Sequence, residues 1–166
     1  MEKIKKNKLL IISFIITAIL VIIDQITKGI IIETMSNKII IKNILKVICV
    51  QNTGGAFGVA QNSTAMFIIT NIIVLGIILR FIYIQKDRIN NQTLIMLLLV
   101  LAGGISNLID RIFRGFVVDF INVFPTMNFP KFNLADMYIT IGYIGLAFLF
   151  ALYTWKEVKN KTMQEE

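Results

Sequence analysis

The chain has 166 residues, 56% of them hydrophobic, and carries a formal net charge of +7. Its mean hydropathy of +0.75 exceeds what a soluble domain of this size shows and makes lipid the expected solvent. It has no histidine and one cysteine, Cys49, which excludes Ser-His-Asp and Cys-His mechanisms, histidine metal sites and an intramolecular disulfide.

A membrane span needs roughly 20 apolar residues to cross a core of about 30 Å. The opening "MEKIKKNK" with the apolar stretch behind it has the layout of a secretory signal peptide. No small-x-small cleavage site follows, and three more spans do, so it reads as a retained helix over residues 9–32. Its end carries "DQITK", read as a polar break, with Asp24 and Lys28 at i and i+4 so that one helix face presents both. An interfacial salt bridge and a scaffold around a polar pocket both account for that pair.

The next stretch, residues 37–58, is "NKIIIKNILKVICVQNTGGAFG". Its β-branched residues and terminal glycines predict one or two short strands and a turn. Asn52 precedes Gly54 and Gly55 there, which suits an ordinary turn or a loop that holds a peptide. The second span covers residues 65–84. The third covers 94–109, is short, and ends in "GGISNLIDR". Gly103 and Gly104 permit tight helix contact. Asn107, Asp110 and Arg111 fall at i, i+3 and i+4 and can face one way, with Asp110 and Arg111 neutralising each other or pairing with Asp24 and Lys28. The fourth span covers 137–155.

Lys and Arg placement sets orientation. Lys3, Lys5, Lys6, Lys8, Arg80, Lys86, Arg88, Lys156, Lys159 and Lys161 fall on one side; Lys28, Lys38, Lys42, Lys46, Arg111, Arg114 and Lys131 on the other. Both termini are therefore expected in the cytoplasm, with connections 33–64 and 110–136 facing outward. The basic residues flank apolar spans, which fits anionic headgroups and not nucleic acid.

Two acids remain, in "VVDF" and "FNLAD". Asn133 suits a helix N-cap, and Asp136 then falls at the third helical position, where the dipole favours an anion. Asp119 has no such explanation: it lies in an apolar run with no adjacent cation, and needs a partner, a proton or a task. If the two meet, like charges cannot both ionise and one proton is shared. The charged partner then takes a proton from water while the protonated one donates to a carbonyl, the arrangement of aspartic proteases.

Taken in order around four spans, "DQITK", "QNTGGAF", "GGISNLIDR", "VVDF" and "FNLAD" resemble the lipoprotein signal peptidase family, signal peptidase II of bacteria. The resemblance covers about residues 20 to 140. It implies a membrane protein, mainly α, one domain over residues 1–166: four transmembrane helices, a small extracytoplasmic β-rich cradle and a short outer helix. It implies an aspartic endopeptidase of the cell membrane that removes signal peptides from prolipoproteins, cutting before the diacylglyceryl-modified cysteine. By motif position Asp119 and Asp136 match the catalytic pair. Asp24, Lys28, Asn52, Gly54, Gly103, Asn107, Asp110, Arg111, Asn133 and Ala135 match the substrate-binding and structural shell. One departure is Ser106, where the family commonly has Gly; its hydroxyl is expected to bond back to a helix carbonyl. The expected partners are a lipid-modified prolipoprotein and membrane lipid, the expected state is a monomer, and no cofactor is expected.

Two other functions compete at this stage. A small proton-coupled transporter would place the acids near the bilayer midplane, whereas here they sit at span ends. A non-enzymatic assembly factor leaves Asp119 unexplained. A metal held by Asp24, Asp110, Asp119 and Asp136 is disfavoured by Lys28 and Arg111 among them.

Overall fold

A computed structural model describes residues 2–35, 37–55, 60–127 and 129–165. The chain forms α1 (Glu2–Thr34), β1 (Asn37–Ile41), β2 (Leu45–Asn52), α2 (Thr64–Gln85), α3 (Asn91–Arg114), β3 (Val117–Val123) and α4 (Leu134–Glu165). Four helices are long and apolar enough to span a membrane: Lys8–Thr34, Thr64–Gln85, Asn91–Arg114 and Leu134–Met163. All four expected spans are present, and three differ usefully from expectation. "DQITK" does not break the first helix, which runs on to Thr34. The third continues to Arg114 and holds the whole of "GGISNLIDR". The fourth starts at Leu134 and ends well past Trp155. For the first and third helices the reason is that the polar side chains find partners inside the protein, so helical backbone costs nothing extra there.

The third helix, α3, packs against α1, α2 and α4. Its Leu94, Leu97, Leu98, Val100 and Leu101 meet Leu75, Ile78 and Ile82 of α2 in the main apolar core. The outward faces of α1, α2 and α4 stay apolar and exposed, with Ile15, Ile22, Ile72, Ile77, Ile144 and Phe148 among them, as lipid-facing surfaces must be.

Small residues let the helices approach. A Cβ on Gly103 would run into the backbone carbonyl of Ala135 and lie 2.6 Å from Ile139 Cγ1. One on Gly104 would lie 2.8 Å from Leu75 Cδ2 on the opposite side. Replacing Gly103 with Ala is therefore expected to push the start of α4 away and cost about 1–3 kcal/mol. Gly29→Ala is the control: nothing lies within 4 Å of its added methyl, and Ala favours helix. Thermal unfolding in detergent checks both; equal melting points would refute the close-contact argument.

The strands form one antiparallel sheet in the order β1-β2-β3. Asn43 takes φ 62° in the turn between β1 and β2, a left-handed conformation that Asn tolerates. The hairpin fits the strand reading of 37–58; residues 56–59, at the end of that reading, lie outside the described residues. The strand β3 is new. Its run "VVDFINV" is β-branched, and Val118 and Phe120 pack on Ile31 at the end of α1. The expected short outer helix is, among the described residues between β3 and α4, a single 3-10 turn at Pro125–Met127.

Candidate active site

Both unexplained acids line one cavity of about 610 Å³, together with Asn52, Gly54, Asn107 and Arg111. Asp119 stands on β3, and Asn52 pairs across the ladder with Val117, so the two side chains are diagonal neighbours on one face. The Asn52 amide donates to Asp119 Oδ2 at 2.9 Å, while its own oxygen accepts from the Gly54 N–H at 2.9 Å. The second accepted bond fixes which end of the amide faces the acid.

Asp136 begins α4. Its N–H donates to Asn133 Oδ1 at 2.9 Å, and the Asn133 N–H donates back to Asp136 Oδ2 at 3.2 Å. That reciprocal capping bears out the N-cap expectation and leaves Asp136 Oδ1 facing Asn107 Nδ2 at 2.8 Å. The Asn133 side-chain amide donates to Asp119 Oδ1 at 2.8 Å. Asn133 thus caps the helix of one acid and holds the carboxylate of the other.

Behind the cavity lies a buried charge cluster. Lys28 Nζ is 2.7 Å from Asp24 Oδ2 and 3.0 Å from Asp110 Oδ2, and all three side chains are fully buried. Its third bond goes to Asn107 Oδ1 at 2.9 Å. This third bond orients the Asn107 amide, turning the NH₂ toward Asp136. Asp24 also accepts from Ser106 Oγ at 2.6 Å and from the Ala135 N–H at 3.0 Å. One carboxylate on α1 therefore holds α3 and the first turn of α4. Asp110 additionally accepts from the Val118 N–H at 3.1 Å, which ties α3 to the strand carrying Asp119.

Two expectations need correction. Of the two alternatives for Asp110, pairing with Lys28 holds and neutralisation by Arg111 does not; Arg114, at i+4 on the same helix, is its second cation. The Arg111 guanidinium donates to the Gly54 carbonyl at 3.0 Å and stacks 4.9 Å from the Phe67 ring, so it points to the loop and not to α1. Nor does Ser106 bond to a helix carbonyl: Asp24, a charged acceptor within reach, outcompetes it. Gln25 and Arg114 escaped the sequence reading. Gln25 bridges Ser106, Asp110 and Arg114. Its place between Asp24 and Lys28 was the available signal.

Burial pushes the Asp119 carboxyl up to about 7, and the negative charge of Asp136 adds to the rise. The bond from Asn52, the charge of Lys28 and the bond from Asn133 oppose it without cancelling it. Among the described residues no three His, Cys, Asp or Glu side chains are grouped to hold a metal.

The four apolar helices and the polar cleft at one end define a multi-pass membrane protein with a buried, hydrogen-bonded acid site. The model of signal peptidase (SPase) II matches residues 16–153. A lipoprotein signal peptidase of Streptococcus agalactiae serotype V is 41% identical over 151 residues, 88% of this chain and 93% of the relative. One of Halalkalibacterium halodurans is 35% identical over 156 residues, 90% of this chain and 97% of the relative. A solved bacterial membrane enzyme superposes with a TM-score of 0.79 at 33% identity, covering 86% of this chain and 88% of that one. The chain belongs to the signal peptidase II family and is an aspartic peptidase of that type. The transporter and assembly-factor readings give way to it.

Proposed function

We propose that Asp119 and Asp136 are the catalytic pair of one membrane-embedded peptidase domain that removes signal peptides from prolipoproteins. Cleavage falls just before the diacylglyceryl-modified cysteine. The observation that supports this most is that two acids, the buried Asp119 and the half-buried Asp136, share one cavity, each held by an Asn amide. In the singly protonated pair, the charged carboxylate takes a proton from water as its oxygen bonds to the scissile carbonyl carbon. The protonated carboxyl donates to the carbonyl oxygen. Collapse breaks the C–N bond, and the proton taken from water leaves with the new amino group. Asn107 and Asn133 hold the acids in place.

The cavity also contains Met137, Ile139 and Ile141 of α4, an apolar wall suited to acyl chains or a signal helix. Positive charge at segment ends supports cytoplasmic termini and a site at the outer face of a bacterial cell membrane. The protein acts as a monomer in this reading, since the cavity is complete within one chain.

In vesicles, the purified chain is expected to cleave a diacylglyceryl-modified precursor peptide and to ignore the unmodified one, with chelator making no difference. Activity should fall as pH rises through about 7, where Asp119 loses its proton. It should fall again in acid, once both groups are protonated. Stability follows the same sign. The folded chain holds this proton more tightly than the unfolded one, so the contribution is complete below the ordinary carboxyl range and is lost as pH climbs through about 7. A rate that keeps rising past pH 8 would refute the shared proton.

A further inference from the structure

The cavity wall includes two cations that the mechanism above does not use, Arg111 and Lys131. Lys131 lines it between Pro130 and Phe132. The other cations around the site are engaged: Lys28 with Asp24, Asp110 and Asn107; Arg114 with Asp110 and Gln25; Arg111 with the Gly54 carbonyl and the Phe67 ring. Among the described residues the Lys131 side chain has no ion pair or hydrogen bond.

Its position is fixed. Phe132, next in the chain, is bridged to Ile121 of β3: the Phe132 N–H donates to the Ile121 carbonyl at 3.1 Å, and the Phe132 carbonyl accepts from the Ile121 N–H at 2.8 Å. Proline restricts the backbone on the other side. The next residue but one, Asn133, is the α4 cap. Lys131 is therefore carried by a backbone segment held from both sides.

The cavity also has a direction. Along α4, Met137, Thr140 and Ile141 run from Asp136 toward the membrane-spanning part, with Ile141 about 7.5 Å further on at 1.5 Å per residue. Lys131 lies before Asp136, outside the helix, on the segment that Phe132 ties to Ile121 of β3. A peptide whose apolar signal segment lies along α4 and whose scissile bond meets the acids continues on the side of Asp136 away from the helix, where Lys131 lies. What leaves there is the polar mature side.

We propose that Lys131 is a specificity-determining residue: its ammonium reads a carboxylate on the substrate within the first few residues of the mature side. This rests on the peptidase reading above. The attraction is that of a half-buried ion pair, so the preference for an acidic over a basic substrate is about three- to tenfold.

The test uses the full chain in phosphatidylcholine vesicles with three diacylglyceryl-modified precursor peptides. These differ only in Asp, Asn or Lys at the second residue after the modified cysteine. The readout is the ratio of kcat/KM for the Asp and Lys peptides, which cancels any loss of folded enzyme within a variant. The unaltered chain should favour Asp about three- to tenfold, Lys131→Gln should bring the ratio near one, and Lys131→Glu should invert it. Raising salt to 1 M should flatten the preference of the unaltered chain. A ratio that is the same in all three proteins overturns the proposal. So does a Lys131-dependent rate that follows added anionic lipid and not peptide charge, because the cation then reads headgroups. Failure to cleave any of the three peptides sinks the peptidase reading itself, and this inference with it.

Discussion

Asp119→Asn is expected to lower cleavage of a lipid-modified precursor about 1,000-fold while the protein still inserts and folds. The substitution keeps the shape of the side chain and removes only its ability to exchange a proton. The fold has reason to tolerate it. Asp119 receives one amide bond from Asn52 and one from Asn133. In the variant, the oxygen of the substituted amide keeps one of these and its NH₂ group opposes the other, a loss of about 1 kcal/mol. Relief from burying a carboxylate beside Asp136 offsets part of that loss. The measurement pairs single-turnover cleavage with a melting curve in detergent. Retained turnover removes Asp119 from the chemistry; a collapsed melting point would mean the group is structural. Asp136→Asn is the less clean version, because Asp136 also accepts the Asn133 N–H at the start of α4.

Replacing Lys28 with Met should be the most destabilising single change in the charge cluster, by about 3–5 kcal/mol. Met approximates the length of the stem and deletes the ammonium. Asp110 keeps Gln25, Arg114 and the Val118 N–H, but Asp24 is left with a hydroxyl and one backbone amide and no cation in contact. Activity should fall too, by a separate route. Without Lys28 the Asn107 oxygen keeps only the longer 3.3 Å bond from the Asn133 amide, a weaker restraint on the group that faces Asp136. The double variant Asp24→Asn, Lys28→Met removes the orphaned charge and should recover part of the stability but not the orientation of Asn107. Thermal unfolding of the two variants decides the matter: no recovery in the double variant would show that packing, not charge, accounts for the loss.

The sequence made some of this legible and hid the rest for physical reasons. Hydropathy exposed the four helices, because lipid demands long apolar runs. The i, i+4 spacing of Asp24 and Lys28 was a local fact, and the ion pair at 2.7 Å follows from it. The Asn133–Asp136 cap was equally local. By contrast, the strand at Val117–Val123 forms only because β2 and Ile31 are there to receive it. Its β-branched run cannot be told from buried helix by periodicity alone. Spacing favoured Arg114 as the partner of Asp110, since side chains at i and i+4 meet on a helix and those at i and i+1 do not. What spacing could not show is where Arg111 goes instead, because Gly54 and Phe67 lie far earlier in the chain. Asn133's double engagement was hidden for the same reason, being a tertiary property of one side chain.

The way Asp24 grips the Ala135 N–H also sets an order of manufacture. Asp24, Lys28 and Asp110 are all in place once the third helix has left the ribosome, so the charged socket is ready before its occupant exists. The segment from Asn133 onward comes later in the chain, and it brings both the second proposed acid and the amide that steadies the first. A chain halted before Asn133 therefore lacks half of the proposed pair.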